Sequence, residues 1–200
     1  MKLDVPFYKQ TTPLNCGPRA LKMIFSYFGK DIPDNIIEEA VGIKDGKGVT
    51  TIQLAIATVD LGFKSSIYTK VISFNEENLK LDYYKKYLDS NAEQFAYLVK
   101  KARDIGVKLY EKILTLEELL SKISKKNLAI VLIDWDIVRS NKKEKYLGHF
   151  VPLVGYDDEF VYVHNHGLNG TRSFLPIKRE IFDKARKAEG TDEDILFISK

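Results

Sequence analysis

The spacing of apolar residues changes along this chain, and that change limits the folds that the chain can adopt. From residue 16 to 29, apolar side chains recur three and four positions apart, which predicts one amphipathic helix. Pro18 suits the first turn of this helix and Gly29 suits its end. Shorter helices are predicted over residues 34–41 and 50–61, so helices dominate the first third of the chain.

The last third of the chain is rich in strand-forming residues. A nearly continuous apolar run covers 128–135, and two further runs cover 149–156 and 160–164 on either side of an Asp-Asp pair, which predicts a hairpin. A short helix near 177–187 and a strand over 195–199 follow. This order predicts an α+β fold, with an N-terminal helical lobe packed on a C-terminal antiparallel β-sheet lobe.

The length of the chain predicts its domain organisation. Two hundred residues suit a single domain over 1–200, and a hydrophobic content of 44% is enough for a substantial core. Residues 63–125 hold two predicted strands and several charged helical segments, without any recognisable motif. We interpret this stretch as a possible insertion into the domain.

The charge balance argues against a nucleic-acid-binding protein. The net charge is +3, from 31 basic and 28 acidic residues, and the two signs are interspersed. No apolar run reaches the roughly 18 residues that a membrane span needs, and the first residues lack the apolar core of a signal peptide. We therefore expect a cytoplasmic protein without a membrane span, and we predict no cofactor and no metal. The oligomeric state is left open.

Cys16 is the only cysteine, and it stands at the predicted start of the first helix. Free N–H groups and the positive end of the helix dipole stabilise a thiolate at such a position. Gly17 also lets the backbone approach a substrate closely. We therefore interpret Cys16 as a nucleophile with a lowered thiol pKa. The alternative is a small buried hydrophobic residue.

Two other residues supply groups that thiol chemistry needs. A nucleophilic cysteine needs a base in contact with it, and His149, one of three histidines, opens a predicted strand. Gln10 lies on the loop before Cys16, and its amide can donate to the oxyanion of a tetrahedral intermediate, together with the Cys16 N–H. The alternative for Gln10 is an exposed polar loop residue.

Asn165 is the candidate for the group that orients the His149 imidazole. If residues 156–158 form a three-residue hairpin loop, His149 stands directly opposite Asn165. His164 and His166 then point to the other face of the sheet. A loop one residue shorter instead places His149 opposite His166 and turns Asn165 away. The sequence leaves both registers open.

Together, these motifs resemble those of one peptidase family. Gln10, the run from Asn15 to Pro18, and the run from Gly148 to Asp157 are similar to the bacteriocin-processing (double-glycine leader) peptidase family and its stand-alone relatives. That family belongs to the papain-like cysteine peptidase superfamily. The resemblance covers about residues 5–30 and 126–170. It implies that Cys16 is the nucleophile, His149 the base and Gln10 the oxyanion donor.

The third residue of that family is usually an Asp followed by Pro, whereas this chain has Asn165 followed by His166. An asparagine serves in papain-like enzymes generally. The resemblance therefore implies a cysteine peptidase or amide hydrolase that acts on a peptide or protein through a Cys-His-Asn site. One alternative is a catalytically weak papain-like module that binds a peptide without cleaving it. Another is a zinc site formed by His149, His164 and His166.

Overall fold

The structure is a computed structural model that describes residues 1–88, 91–140, 144–168 and 170–200. A solvated loop predicted over 140–145 includes residues 141–143, which lie outside the described residues.

The first part of the chain forms the three predicted helices, which pack against one another. The first of them begins at Cys16, and Gly29 lies just beyond its end with a φ of 82°, a backbone conformation that favours glycine. Most of the apolar stripe of this helix is fully buried, so the predicted amphipathic pattern also identifies the face that packs inward. The helices are α1 (Cys16–Tyr27), α2 (Asp34–Val41) and α3 (Thr51–Asp60).

All the strands of the described residues belong to one sheet, in the order β2-β1-β7-β3-β4-β5-β6. Only the β1–β2 pair is parallel, and the other pairs are antiparallel. The strands are β1 (Lys64–Thr69), β2 (Lys108–Glu111), β3 (Asn127–Asp134), β4 (Gly148–Tyr156), β5 (Phe160–Asn165), β6 (Arg172–Lys178) and β7 (Ile195–Ser199).

Helices that precede a largely antiparallel sheet confirm the predicted α+β fold. Nearly every residue of β3 and β4 is buried, because α1 contacts both strands and a C-terminal helix also contacts β3. None of the helices within the described ranges is long and apolar enough to cross a membrane. The remaining helices are α4 (Asp82–Tyr87), α5 (Ala92–Asp104), α6 (Leu116–Lys122), α7 (Trp135–Ser140) and α8 (Arg179–Arg186), with a 3-10 helix over Glu76–Lys80.

The stretch from 63 to 125 joins this same sheet, because β1 lies between β2 and β7. It also supplies α4, whose tyrosines contact the loops that surround the start of α1. Whether the stretch is an insertion remains a prediction, but its residues help to form the surroundings of the candidate site.

The hairpin between β4 and β5 adopts neither predicted register. Tyr156 pairs with Val161, and the N–H of Asp157 donates to the carbonyl oxygen of Phe160 at 2.9 Å, so the turn lies further along the chain than either predicted loop. Asp157 stabilises this turn, because its carboxylate accepts the backbone N–H groups of Glu159 at 3.0 Å and of Phe160 at 2.8 Å.

A β-bulge between Leu153 and Gly155 then shifts the pairing, so that Leu153 pairs with Val163. The predicted direct opposition of His149 and Asn165 is therefore wrong. Continued alternation from the Leu153–Val163 pair still places both side chains on one face of the sheet, offset along the strands.

The bulge follows from a contact with the first residues of the chain. The N–H of Leu3 donates to the carbonyl oxygen of Val154 at 2.8 Å, and Lys2 forms an isolated bridge with Gly155. A Cβ atom added to Gly155 would lie 2.5 Å from the carbonyl oxygen of Met1, so only glycine allows this close approach. Residues that are distant in sequence therefore determine the register of this hairpin.

Candidate active site

Cys16 is the first residue of α1, and this end of the helix packs against β4. The backbone N–H of Phe150, the residue after His149, donates a hydrogen bond to the Cys16 sulfur. The thiol is buried, with 7% of the residue exposed. The helix start and the histidine strand, which are far apart in sequence, therefore meet at the sulfur.

The loop before Cys16 is fixed by the buried side chain of Asn15. Its amide nitrogen donates to the hydroxyl of Thr11 at 2.9 Å and to the carboxylate of Glu38 at 3.1 Å. Its amide oxygen accepts the N–H of Thr12 at 3.2 Å. Asn15 therefore ties the loop to α2 and sets the direction from which the chain enters α1.

His149 lies on β4, close to the residue that carries the hydrogen bond to Cys16. Its imidazole packs edge-on against the ring of Trp135, with 5.3 Å between ring centroids. A hydrogen bond joins the imidazole to the side chain of Asn165. The buried Nε2 atom has no hydrogen-bond partner among the described residues, so this ring nitrogen is available for a proton.

Asn165 ends β5 and is buried. Its amide nitrogen donates to the carbonyl oxygen of Gly170 at 2.7 Å, and its amide oxygen lies 3.4 Å from the N–H of Gly167. These contacts with the following turn hold the side chain in place beside the His149 imidazole.

Gln10 is buried, with 5% exposed, so the alternative of an exposed loop residue is wrong. Its amide nitrogen donates to the carbonyl oxygen of Thr12 at 3.1 Å, and its amide oxygen has no partner within the described part of the chain. An amide nitrogen carries two N–H donors, and the Thr12 carbonyl accepts only one of them.

His166 is a residue of this site that the sequence placed either on the other face of the sheet or opposite His149, and to which it assigned no catalytic role. Its Nε2 lies 3.0 Å from the carbonyl oxygen of Cys16, and its ring centroid lies 5.0 Å from that of His149. Its own carbonyl oxygen accepts the N–H of Gln10 at 2.8 Å. β5 ends one residue before His166, so the alternation that was expected to turn this ring away does not extend to it. His166 therefore connects the loops that carry Gln10 and Cys16 to the ring of His149.

His164 has a structural role instead. Its Nδ1 accepts the backbone N–H of Phe174 at 3.1 Å, so Nε2 carries the ring proton and donates to the carbonyl oxygen of Val5 at 2.9 Å. Both ring nitrogens of His164 therefore already have a hydrogen-bond partner. No group of three metal-ligating side chains converges among the described residues. The zinc alternative therefore gains no support from this arrangement.

Burial controls the protonation of Cys16 and His149. It raises the pKa of the Cys16 thiol, and the hydrogen bond from the Phe150 N–H offsets only part of this effect. It also lowers the pKa of His149 well below its ordinary value, with a further lowering by His166 and a partial compensation by Asn165. The predicted lowering of the thiol pKa is therefore wrong, because loss of solvent outweighs the hydrogen bonds from the backbone N–H groups at the sulfur. Burial thus favours the neutral thiol of Cys16 and the neutral imidazole of His149.

A pocket of about 90 Å³ opens beside Cys16. Tyr83 from α4 partly closes it, and its hydroxyl donates to the carbonyl oxygen of Gly148 at 3.2 Å. Asp192 and Asp194, which precede β7, also line it. The apolar and aromatic side chains of its wall are Leu14, Val49, Ile52, Val71, Phe74, Leu79, Tyr83, Tyr84, Leu88, Phe95, Leu132, Tyr146 and Phe150.

The two carboxylates of this pocket differ in their partners. Both oxygens of Asp192 accept amide N–H groups, from Asn75 and from Asn78, each at 2.7 Å. Asp194 instead accepts the hydroxyl of Thr51. Loss of solvent around its carboxylate raises the pKa of Asp194 to about 7, although this hydroxyl favours the charged form.

A wider groove of about 560 Å³ lies on the side of the site that Trp135 and Asn165 border. Its floor is largely apolar, and Arg139, Arg172 and Lys178 stand along it. The pocket beside Cys16 is thus acidic, whereas this groove is basic.

Solved structures of cysteine peptidase domains share this fold. A double-glycine motif protease from an AMS/PCAT transporter is 16% identical, with a TM-score of 0.55 over 100% of this chain and 94% of that chain. The peptidase domain of Streptococcus ComA is 13% identical, with a TM-score of 0.54 and 98% coverage of both chains. A C39-like peptidase from Bacillus anthracis is 16% identical, with a TM-score of 0.59 over 98% and 95%. The fold is therefore that of the papain-like, double-glycine peptidase domains.

The chain itself belongs to the guanylylate cyclase family, whose profile matches residues 5–198. Guanylyl cyclase 1 from Arabidopsis thaliana is 25% identical over 213 residues, which cover 98% of this chain and 76% of that protein. The resemblance to the bacteriocin-processing peptidases thus identifies the fold, while the matching sequence family is a different one. The family match includes the stretch from 63 to 125.

The neutral thiol predicts a pH profile for alkylation of Cys16. We expect iodoacetamide to react slowly at neutral pH, with a rate that rises to a midpoint above the ordinary thiol value of roughly 8.5. The urea-unfolded chain is the control, because its thiol is exposed to solvent and should titrate near that value. A reactive plateau below about pH 7 in the folded chain would instead indicate a thiolate–imidazolium pair.

The raised pKa of Asp194 predicts that this residue costs stability. Between its ordinary pKa of roughly 3.9 and about 7, the folded chain keeps a proton that the unfolded chain has lost, so stability falls as pH rises through this window. We expect Asp194→Asn to unfold at higher urea than the unsubstituted chain at about pH 8, by ~1 kcal/mol after allowance for the solvent in the pocket. The gain should shrink at about pH 5. The exposed Asp158→Asn is the control, and an equal pH dependence in all three chains would contradict the assignment.

Proposed function

We propose that this chain is a cysteine hydrolase that cleaves an amide bond of a peptide, with Cys16 as nucleophile, His149 as general base and Asn165 as the residue that orients the imidazole. One observation carries the proposal. The Cys16 sulfur accepts the N–H of the residue next to His149, while the buried Nε2 of that histidine has no partner among the described residues. A base nitrogen that is otherwise unused, on the residue next to the one that contacts a lone buried thiol, is what nucleophilic catalysis requires.

The tautomer of His149 suits the role of a base. The Asn165 amide nitrogen donates to Gly170, and we assign the amide oxygen as the acceptor of the imidazole proton at Nδ1. Nε2 then carries a lone pair. Asn165 holds this orientation without adding charge, in contrast to the aspartate of a serine-protease triad.

The neutral pair defines the order of proton transfers. His149 takes the thiol proton as the Cys16 sulfur attacks the amide carbon, and a tetrahedral oxyanion forms. The imidazolium then returns that proton to the leaving nitrogen as the C–N bond breaks, which leaves a thioester on Cys16. A water molecule, deprotonated by His149, attacks the thioester, and the carboxylic acid leaves as the thiol regains its proton.

Two donors are available for the oxyanion. The backbone N–H of Cys16 lies at the start of α1 and needs no intrahelical partner. Gln10 offers the amide proton that does not bind Thr12. Because these groups are held by buried loops, they are in place before the negative charge develops.

A peptide suits the surroundings of the site. The groove borders Asn165 and the pocket borders Cys16, so open space adjoins the candidate site at both of these residues. One of the proteins with this fold was solved in complex with a leader peptide, which gives a precedent for peptide binding.

Cyclisation of GTP is a second candidate, and the family name and the Arabidopsis relative are the observations that favour it. This reaction forms cyclic GMP and pyrophosphate and has no use for a thiol nucleophile. The described lining of the pocket beside Cys16 holds two aspartates and no lysine or arginine, so a triphosphate there would need a divalent cation to balance its charge. Arg139, Arg172 and Lys178 in the wider groove are the cations near the site that phosphates would contact.

Substitutions distinguish peptide hydrolysis from GTP cyclisation and from peptide binding without cleavage. We expect Cys16→Ala to abolish peptide hydrolysis and Asn165→Ala to lower kcat roughly 10- to 100-fold. Gln10→Ala should lower kcat about 100- to 1,000-fold while alkylation of Cys16 stays unchanged, because an oxyanion donor acts only on the transition state. Gln94→Ala, on the exposed surface of α5, is the matched control. Rates are measured on a fluorogenic peptide library.

Two results would contradict the proposal. Cyclic GMP formed from GTP and Mg²⁺ or Mn²⁺ at the same rate by the Cys16→Ala chain, without any peptide cleavage by the unsubstituted chain, would favour the cyclase. Peptides that bind equally to the unsubstituted chain and to the Cys16→Ala chain, and that remain intact, would favour a binding module.

A further inference from the structure

We propose that the pocket beside Cys16 binds an extended aliphatic side chain that ends in a primary amine, as in lysine, with Asp194 as the acceptor for the ammonium group. This inference deepens the proposed function, since it assigns a substrate class to the same site. It rests on three features of the pocket: its apolar wall, its unequal carboxylates and its aromatic rings.

The wall suits a chain of methylene groups. Most of the side chains that line the space between Cys16 and the two aspartates are aliphatic or aromatic. The volume of about 90 Å³ exceeds the roughly 10–15 Å³ that a single water molecule needs by this measure. A side chain can therefore enter, and the methylene groups that it buries favour binding.

Asp194 is the carboxylate that is open to a ligand. Asn75 and Asn78 already hold both oxygens of Asp192, whereas the contacts of Asp194 are hydroxyl groups, from Thr51 and Thr69. An ionised carboxylate offers about four acceptor positions, so Asp194 has room for another donor. None of the described residues that line the pocket is Lys, Arg or His, so no cation of this lining balances its charge.

The aromatic rings favour a cation over a neutral group. Tyr84 and Tyr146 stack with 5.6 Å between centroids, and Tyr83 meets Tyr146 edge-on at 5.3 Å. Burial raises the pKa of all three phenols, so their hydroxyls stay neutral and add no charge. The faces of such rings attract an ammonium group through their electron density.

Other ligands fit the pocket less well. An anion would face two aspartates at close range. An apolar side chain would remove water from the carboxylate of Asp194 without giving it a partner, which costs free energy. An amine supplies both the charge and the hydrogen bonds that this end of the pocket lacks.

Direct binding of small probes tests this inference without any need for catalysis. We expect n-pentylamine to bind about tenfold more tightly than 1-pentanol, measured by ligand-observed NMR at about pH 8, because only the amine can pair with the carboxylate. Asp194→Asn keeps the size of the side chain and the bond with Thr51, and should reduce the amine to the affinity of the alcohol. The exposed Asp158→Asn is the matched control and should retain the preference. Equal binding of the two probes to the unsubstituted chain, or an amine preference that survives Asp194→Asn, would overturn the inference.

A parallel measurement separates this inference from the proposed function. Peptides that differ only in a lysine or a norleucine at the cleavage position are compared by kcat/KM on the unsubstituted chain, and amine binding is repeated with Cys16→Ala. An amine preference in both chains without any cleavage would reject the hydrolase and keep the pocket. Cleavage with equal kcat/KM for the two peptides, together with equal binding of the probes, would reject the pocket and keep the hydrolase.

Discussion

The anchoring of the start of α1 against β4 is the constraint on which the candidate site depends. The N–H of Phe150 donates to the Cys16 sulfur, and the ring of His166 reaches the Cys16 carbonyl oxygen at 3.0 Å. These two contacts join a helix near one end of the chain to a strand and a turn near the other. Without them, neither His149 nor Asn165 would lie on the side of the molecule that holds the thiol, because more than 130 residues separate them from Cys16 in sequence (149 − 16 = 133).

The same anchoring explains why the site rests uncharged. It seals the thiol and the imidazole from water, and each group then favours its neutral form. A neutral pair protects a lone cysteine from oxidation and adventitious alkylation, since the thiolate is the reactive species. In the mechanism that we propose, the proton must then move during attack, so a well-oriented base matters more than a low thiol pKa. The contact between Asn165 and His149 would supply that orientation.

Local patterns predicted the elements of the fold well. The apolar stripe of α1, the apolar run of β3 and the hairpin strands β4 and β5 each carry a short-range signal that the structure confirms. The edge strand β6 escaped prediction because Pro176 interrupts its pattern, which an edge strand tolerates.

Features that depend on distant contacts were not predictable from the sequence. The register of the β4–β5 hairpin is set by the first residues of the chain, which form backbone hydrogen bonds with β4 around Gly155. The pKa of Cys16 depends on burial by separate elements, and His166 enters the site only because β5 ends before it. Asp194 belongs to no motif, and only the fold brings it to the pocket beside Cys16. The roles of Cys16, His149, Asn165 and Gln10 in catalysis remain predictions.

The central claim, that Cys16 forms a thioester with the help of His149, is tested most directly by the intact mass of the chain after reaction with p-nitrophenyl acetate. The account predicts one acetyl group on Cys16 that forms rapidly and is then lost to water. It also predicts that both steps slow in His149→Ala while the far-UV circular dichroism stays the same. Acetylation that is absent from Cys16, or that proceeds at the same rate without His149, would contradict the account.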